Sequence, residues 1–298
     1  MIQNVPAACG GVRRLALYSQ PMRIQLFSDL HLERYPAFQP HILPGAEVVV
    51  LAGDIGSYQA GSRLESQDFG LERFSPSLPA LAGKTVLFIP GNHEFDSLDH
   101  DATYVRLRAT CERLGITWLD REIVTIGAVR FIGTTLWSDF DAMAQRQADL
   151  TKQLQARDKA FRAANYYLSK NTTLKDGEQV LAEGIRAMSL DCQTWLRAAL
   201  ATPFAGKTVV VTHFAPSLMS ADPRYGLTPG TAGFCNALDD LFKRAQLWLH
   251  GHLHCMNDYM VEGRDGSHSW ACRVVANPLG YLSKGEQEGY RPELLIEV

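Results

Sequence analysis

The chain is predicted to be an α/β protein with mixed sheets, on three observations. Short apolar runs of strand length recur along its 298 residues. Helix-length stretches separate most of them. Towards the C-terminus the apolar runs close up around tight turns, which indicates antiparallel strands joined to a parallel sheet.

The first clean strand is Ile24–Phe27, inside the segment Met22–Ser28. Val48–Leu51 and Val86–Ile89 follow, continuous in apolar residues as strands buried on both faces are. Asp99–Leu114 carries helical signals. Arg121–Ile126 and Val129–Gly133 flank Gly127-Ala128 and predict a β-hairpin. Helical signals return across Asp139–Lys170 and Glu178–Leu200, then two more buried strands, Val209–Val211 and Leu247–Leu249. Tyr259–Val261 and Trp270–Ala276 enclose the turn Gly263-Arg264-Asp265-Gly266, and Leu294–Val298 is a last strand.

No Pro/Gly/Ser linker divides the chain, so residues 22–298 are expected to form a single domain with a helical insertion around 139–200. Residues 1–21 lack the charged start and continuous apolar stretch of a signal peptide and are expected to be a flexible extension, with Met22 a candidate for the true start. No apolar run approaches the ~20 residues needed to span a bilayer. The six cysteines are scattered without a CxxC pair, which suits reduced thiols and a cytoplasmic location. A net charge of −3 disfavours a protein that coats nucleic acid with a basic face. Gly83-Lys84-Thr85 and Gly206-Lys207-Thr208 precede strands instead of opening helices, so they read as turns and not as phosphate-binding loops. Neither GxGxxG nor GxSxG occurs.

Chemistry gathers where the strands end. The five buried strands run into Asp29-Leu30-His31, Gly53-Asp54, Gly91-Asn92-His93-Glu94, His213, and His250-Gly251-His252-Leu253-His254. Each cluster alone fits a turn or a core histidine. Three histidines within five residues are a stronger signal. Ligands in α/β sheets sit outside the carboxyl ends of strands, so all five clusters converge on one edge. Imidazole nitrogens with carboxylate and carboxamide oxygens, and no thiolate, suit two divalent ions such as Mn, Fe or Zn. A two-metal site clamps the attacking and leaving oxygens of an in-line displacement.

These motifs, in this order from residue 29 to residue 254, resemble the calcineurin-like metallophosphoesterases. The resemblance implies a four-layer α/β/β/α sandwich with two mixed sheets and the metals at the strand C-terminal ends. It implies that Asp29, His31 and His254 hold one metal, and that Asn92, His213 and His252 hold the other. Asp54 would bridge both, beside a bridging hydroxide as nucleophile. His93 would touch the phosphoryl group and act as general acid without ligating. The implied activity is hydrolysis of a small phosphodiester or phosphomonoester, by a phosphodiesterase or a phosphatase. Two divalent ions would add about +4 at the strand ends, which reconciles an acidic chain with an anionic substrate.

Two other branches of the superfamily, and a binding scaffold without activity, are the competing readings. Protein phosphatases of this superfamily carry GDxxDRG, where this chain has Gly53-Asp54-Ile55-Gly56-Ser57-Tyr58-Gln59. The Asp that would orient His93 and the phosphate-binding Arg are therefore unidentified. The nuclease branch would need a local basic patch. A scaffold would show broken ligand motifs, and here every expected ligand is present. Specificity is expected in the less regular segments. Phe214–Asn236 reads either as one wall of the site or as an ordinary surface loop. Asp139–Asn171, with Arg146, Lys152, Arg157, Lys159 and Arg162, reads first as a solvated helix face and alternatively as a lid whose cations meet substrate phosphate. Trp137 is expected in the core. His41, His100 and His268 read as surface or structural, and His250 as a hydrogen-bonding neighbour of the ligands. Glu94 stays open between a helix N-terminal charge and support of the site.

Overall fold

The strands sort into two sheets because consecutive side chains point to opposite faces and both faces are apolar. The structure, a computed structural model, describes residues 20–298; the expectations for residues 1–19 lie outside it. β1 (Arg23–Phe27), β2 (Val48–Ala52) and β3 (Thr85–Ile89) pair in parallel. α1 (His100–Leu114) leads to β4 (Thr117–Trp118), parallel to β3. β5 (Glu122–Ile126) and β6 (Val129–Thr134) form the hairpin. α2 (Leu150–Leu168), a small hairpin of β7 (Leu174–Lys175) and β8 (Glu178–Gln179), and α3 (Ala182–Ala201) follow. β9 (Lys207–Thr212) and β10 (Leu247–His250) continue the second sheet, with β11 (Asn257–Asp265) and β12 (His268–Ala276) at its edge. β13 (Leu295–Glu297) returns antiparallel to β1.

The first sheet has the order β13-β1-β2-β3-β4 and the second β11-β12-β10-β9-β6-β5, both mixed. Ile24, Leu26, Val48 and Val50 of one sheet pack with Phe131, Val209 and Leu249 of the other. The alternate residues Phe27, Val49 and Leu51, and on the second sheet Val210, Trp248 and Val274, pack in the helical layers. α3 buries Ile185, Ser189, Cys192, Leu196 and Ala199, spaced three or four residues apart as one helix face requires. The result is the helix–sheet–sheet–helix sandwich, with the carboxyl ends of β1, β2, β3, β9 and β10 at one edge.

Three boundaries differ from the sequence reading. The helix expected from Asp139 begins at Leu150, capped by the Asp149 carboxylate on the Lys152 N–H (2.8 Å). Leu136, Trp137 and Phe140 have φ of 71°, 49° and 60°, which no right-handed helix accommodates. The next helix starts at Ala182, because β7 and β8 turn through Asp176-Gly177, with Gly177 at φ 84°. In the C-terminal hairpin Gly263 is not in the turn; it pairs with Trp270, whose indole fills the space a Cβ would need. Trp137 is in the core, as expected, 5% exposed. Of the expected lid cations, Arg157 and Lys152 are engaged by Asp141 and Asp149, so they read as structural. Cys111, Cys192, Cys235, Cys255 and Cys272 are free thiols. Among the described residues no helix is long and apolar enough to cross a membrane.

Candidate metal centre

Each strand that reaches the shared edge turns sharply into its polar residues. Asp29, His31, Asp54, His252 and His254 all have left-handed backbones, with φ between 48° and 71°. Such φ values are uncommon outside glycine, and they persist only where surrounding structure enforces them. Here the loops are laced together. Asp29 N–H donates to Gly53 O (3.0 Å), His31 N–H to Asp54 O (3.1 Å) and Gly251 N–H to His213 O (3.0 Å). The Asp29 carboxylate accepts from His252 N–H at 2.9 Å, which ties the second sheet to the first. Gly53 (φ 85°) and Gly91 are required by close approach: a Cβ on Gly53 would lie 2.5 Å from Gly91 N and His213 Nδ1, and one on Gly91 would strike Asp54.

Two groups of side chains result. Asp29, His31, Asp54 and His254 bring one donor atom each within 4.8 Å of one another, as do Asp54, His213 and His252. Asp54 belongs to both. His31 Nε2 and His254 Nε2 face each other at 3.0 Å, and His254 Nε2 lies 3.3 Å from Asp29 Oδ1. His213 Nε2 lies 3.2 Å from Asp54 Oδ2. Asp54 Oδ2, His213 Nε2 and Asn92 Oδ1 are buried without a hydrogen-bond partner. Buried polar atoms are seldom left so, and a cation is the partner this donor set fits. Six of the seven sequence-predicted ligands are thus brought together in these two groups, and the seventh, Asn92, has a buried carboxamide oxygen without a hydrogen-bond partner.

The reverse side of three of the four imidazoles is occupied. His213 Nδ1–H donates to Ala52 O (2.8 Å), His31 Nδ1 faces Glu33 Oε1 (3.2 Å), and His254 Nδ1 faces Glu286 Oε2 (2.7 Å). Such contacts fix the ring and aim the other nitrogen inward. Burial pushes His31 and His252 below the ordinary histidine value, so both are neutral donors. Burial would raise the Asp29 carboxyl, but hydrogen bonding and charge from His254 hold it at about 2. Burial likewise works against ionised Asp54, and the His213 and His93 charges outweigh it, keeping Asp54 ionised. Asp54 in turn raises His213, against burial, to about 9, so a cation entering there displaces a proton. His250 is no donor to the cluster. It faces Ser220 Oγ (2.9 Å) and Gly251 O, and burial takes it down to about 4.

Glu94, open between two readings in the sequence, is a fully buried strut. Its Oε2 accepts from Asp54 N–H (3.0 Å) and Gly91 N–H (2.7 Å), and its Oε1 from Ile55 N–H (2.6 Å). One carboxylate therefore clamps the loop that carries Asp54 to the loop that carries Asn92. Glu94→Gln would turn an NH2 against backbone donors. It is expected to cost about 2–4 kcal/mol, since each unmet buried group costs ~1–3 kcal/mol. Chemical denaturation of the two proteins checks this; equal stability would refute the strut.

The aspartate missing from the second motif has a substitute three residues beyond His93. Asp96 Oδ2 sits 2.6 Å from His93 Nδ1, leaving His93 Nε2 on the side of Asp54 Oδ2 at 3.9 Å. Burial alone would lower the His93 pKa, but the Asp54 and Asp96 charges raise it to about 10, so the ring is protonated at neutral pH. The spacing His93-x-x-Asp96 was a readable signal for this pair. Glu33 was readable in the same way, two residues after His31. Glu286 reaches His254 from the C-terminal segment, and no local pattern marks it. The walls are aromatic. His252 packs against Phe214 (centroids 3.9 Å apart) and Phe234 (5.0 Å), and Tyr281 stacks on His31 at 4.3 Å.

The profile of the calcineurin-like phosphoesterases matches residues 22–256. The chain belongs to that family. It is accordingly a metal-dependent hydrolase of phosphate esters, and the family typically depends on two metal ions. An uncharacterized protein of Acanthamoeba polyphaga mimivirus is 22% identical over 264 residues, covering 84% of this chain and 83% of its own. Among solved structures, the phosphopantetheinyl hydrolase of Mycobacterium tuberculosis shares the fold, with a TM-score of 0.61 at 18% identity over 94% of this chain and 96% of that one. The family match ends at residue 256, so Tyr281 and Glu286 lie outside it.

Proposed function

We propose that the protein is a binuclear metallophosphodiesterase acting on a small phosphodiester, in which Asp29, His31 and His254 hold one divalent ion, Asn92, His213 and His252 the other, and Asp54 both. The observation that carries this reading is the pair of donor clusters sharing Asp54, with two buried atoms of the second, Asp54 Oδ2 and His213 Nε2, left without a hydrogen-bond partner. Two divalent ions there would supply positive charge for the phosphoryl oxygens and acidify a water at neutral pH. The chain's own residues do the rest. Asp54 receives the His93 N–H on Oδ1 (2.8 Å), so its carboxylate is fixed while Oδ2 stays free. Protonated His93, held by Asp96, gives its Nε2 proton to the departing ester oxygen. Phe214 and Phe234 set the His252 ring and present apolar surface to the ester substituent.

A diester is favoured over a monoester by the polar groups near the phosphoryl position. His93 meets Asp96 and Gln59, and Asn171 in turn meets both of them, so these neighbours are neutral amides and a carboxylate. A monoester dianion gains most from a guanidinium fork. A diester carries a single charge and needs none. The cytoplasm is the proposed location, from the free thiols.

The deciding experiment measures metal content and hydrolysis of bis(p-nitrophenyl) phosphate and p-nitrophenyl phosphate, with Mn, Fe and Zn supplied separately. Glycerophosphodiesters and a phosphopantetheinyl ester join the panel, the latter because a phosphopantetheinyl hydrolase shares the fold. About two metals per chain with a preference for diesters is expected. Preference for the monoester would overturn the diesterase assignment, and a metal-free, inactive protein the whole reading.

A further inference from the structure

Asn171 lies just past the end of α2, far in sequence from any motif, yet it is hydrogen-bonded into the surroundings of His93. Its Nδ2 donates to Asp96 Oδ2 (2.9 Å) and to Gln59 Oε1 (2.8 Å). Asp96 Oδ2 is the same oxygen that meets His93 Nδ1. Gln59 Nε2 in turn lies 3.4 Å from His93 Nδ1, so the four side chains close a ring of contacts. The Asn171 amide is itself oriented, because its Oδ1 accepts from Ser97 Oγ (2.8 Å). The backbone around it is fixed too. Ser97 N–H donates to Thr172 O (2.9 Å), Leu174 N–H donates to Leu98 O (2.8 Å), and Asn171 N–H reaches back to Tyr167 O in the last turn of α2 (3.3 Å).

A carboxylate that holds a histidine must itself be held, or it rotates away and takes the ring with it. Among the described residues no backbone N–H donates to the Asp96 carboxylate; the partners of its Oδ2 are His93 and Asn171. Asn171 supplies the fixed contact, since His93 is the group being positioned. We propose that Asn171 is a positioning residue for proton delivery by His93, acting through Asp96. The segment between α2 and β7 then belongs to the catalytic apparatus and is not merely a surface excursion. This inference rests on the general-acid role given to His93 above.

Leaving-group dependence separates positioning from bulk structure. Phenol leaves less readily than p-nitrophenol and needs the proton more. Diphenyl phosphate and bis(p-nitrophenyl) phosphate are otherwise alike in charge and shape. Asn171→Ala is expected to lower kcat on diphenyl phosphate about tenfold more than on the nitrophenyl diester, the scale of losing a supporting hydrogen bond. KM and metal content should stay near those of the parent. Asn171→Ser carries the same expectation and replaces the alanine variant if that one does not fold. Equal losses on both esters would overturn the positioning role. His93→Ala is measured alongside. If His93→Ala shows no leaving-group selectivity, the general-acid reading itself fails; if it does and the Asn171 variants do not, only this inference fails.

Discussion

Asp54→Asn should reduce diester hydrolysis by about 10³-fold or more, because metal-assisted charge stabilisation is worth several kcal/mol and each ~1.4 kcal/mol is a factor of ten. Asparagine is nearly the same size, so the site need not collapse. Its oxygen can still accept from His93 N–H, the contact that Asp54 Oδ1 makes at 2.8 Å. What disappears is the negative charge common to both donor clusters. At Oδ2 an NH2 would face His213 Nε2, now 3.2 Å away, and present a donor where a cation is expected. Bound metal should therefore fall below two per chain, while the thermal transition of the metal-free protein stays cooperative. Steady-state assay with metal analysis decides it. An Asp54→Asn protein with parental turnover and both metals would show that Asp54 is not shared.

The parts of this site that the sequence disclosed are those where chemistry and local backbone coincide. Asp29, His31, Asp54, Asn92, His213, His252 and His254 each follow an apolar strand within a few residues, so one short pattern reports both placement and side-chain chemistry. The sandwich was legible for the same reason: Val48–Leu51 and Leu247–Leu249 are apolar on both faces, and only a buried strand needs that. What stayed hidden acts across the chain. Glu286 supports His254 from 32 residues away, and Asn171 meets Asp96 from 75 away. Pairings of that kind leave no periodicity, because each is one contact between irregular segments. The helix boundary misplaced at Asp139 has a different cause. Asp139–Asp149 has helix-compatible composition, but buried contacts such as Asp139 Oδ2 with Gln193 Nε2 (2.8 Å) hold a turn there, and tertiary contacts override weak local preference.

His93→Ala should lower kcat on diphenyl phosphate by about 10²-fold, the lower end of what a general acid contributes. The loss on bis(p-nitrophenyl) phosphate should be smaller, and metal content should be unchanged, since His93 belongs to neither donor cluster. The pH profile carries the sign. His93 acts while protonated, so its contribution is present at low pH and is lost as pH rises through its pKa. Burial would place that loss below the ordinary histidine range, but the Asp54 and Asp96 charges move it up, to about 10 without metal. Cations drawing on Asp54 weaken the first of these charges, which leaves Asp96, at 2.6 Å, as the lasting support. The alkaline fall in kcat on diphenyl phosphate should therefore lie below pH 10, and Asp96→Asn should move it further down. His93→Ala should remove that fall altogether, because no proton remains there to lose. An alkaline limb that persists unchanged in His93→Ala would assign the titration to another group and take the proton-donor role from His93.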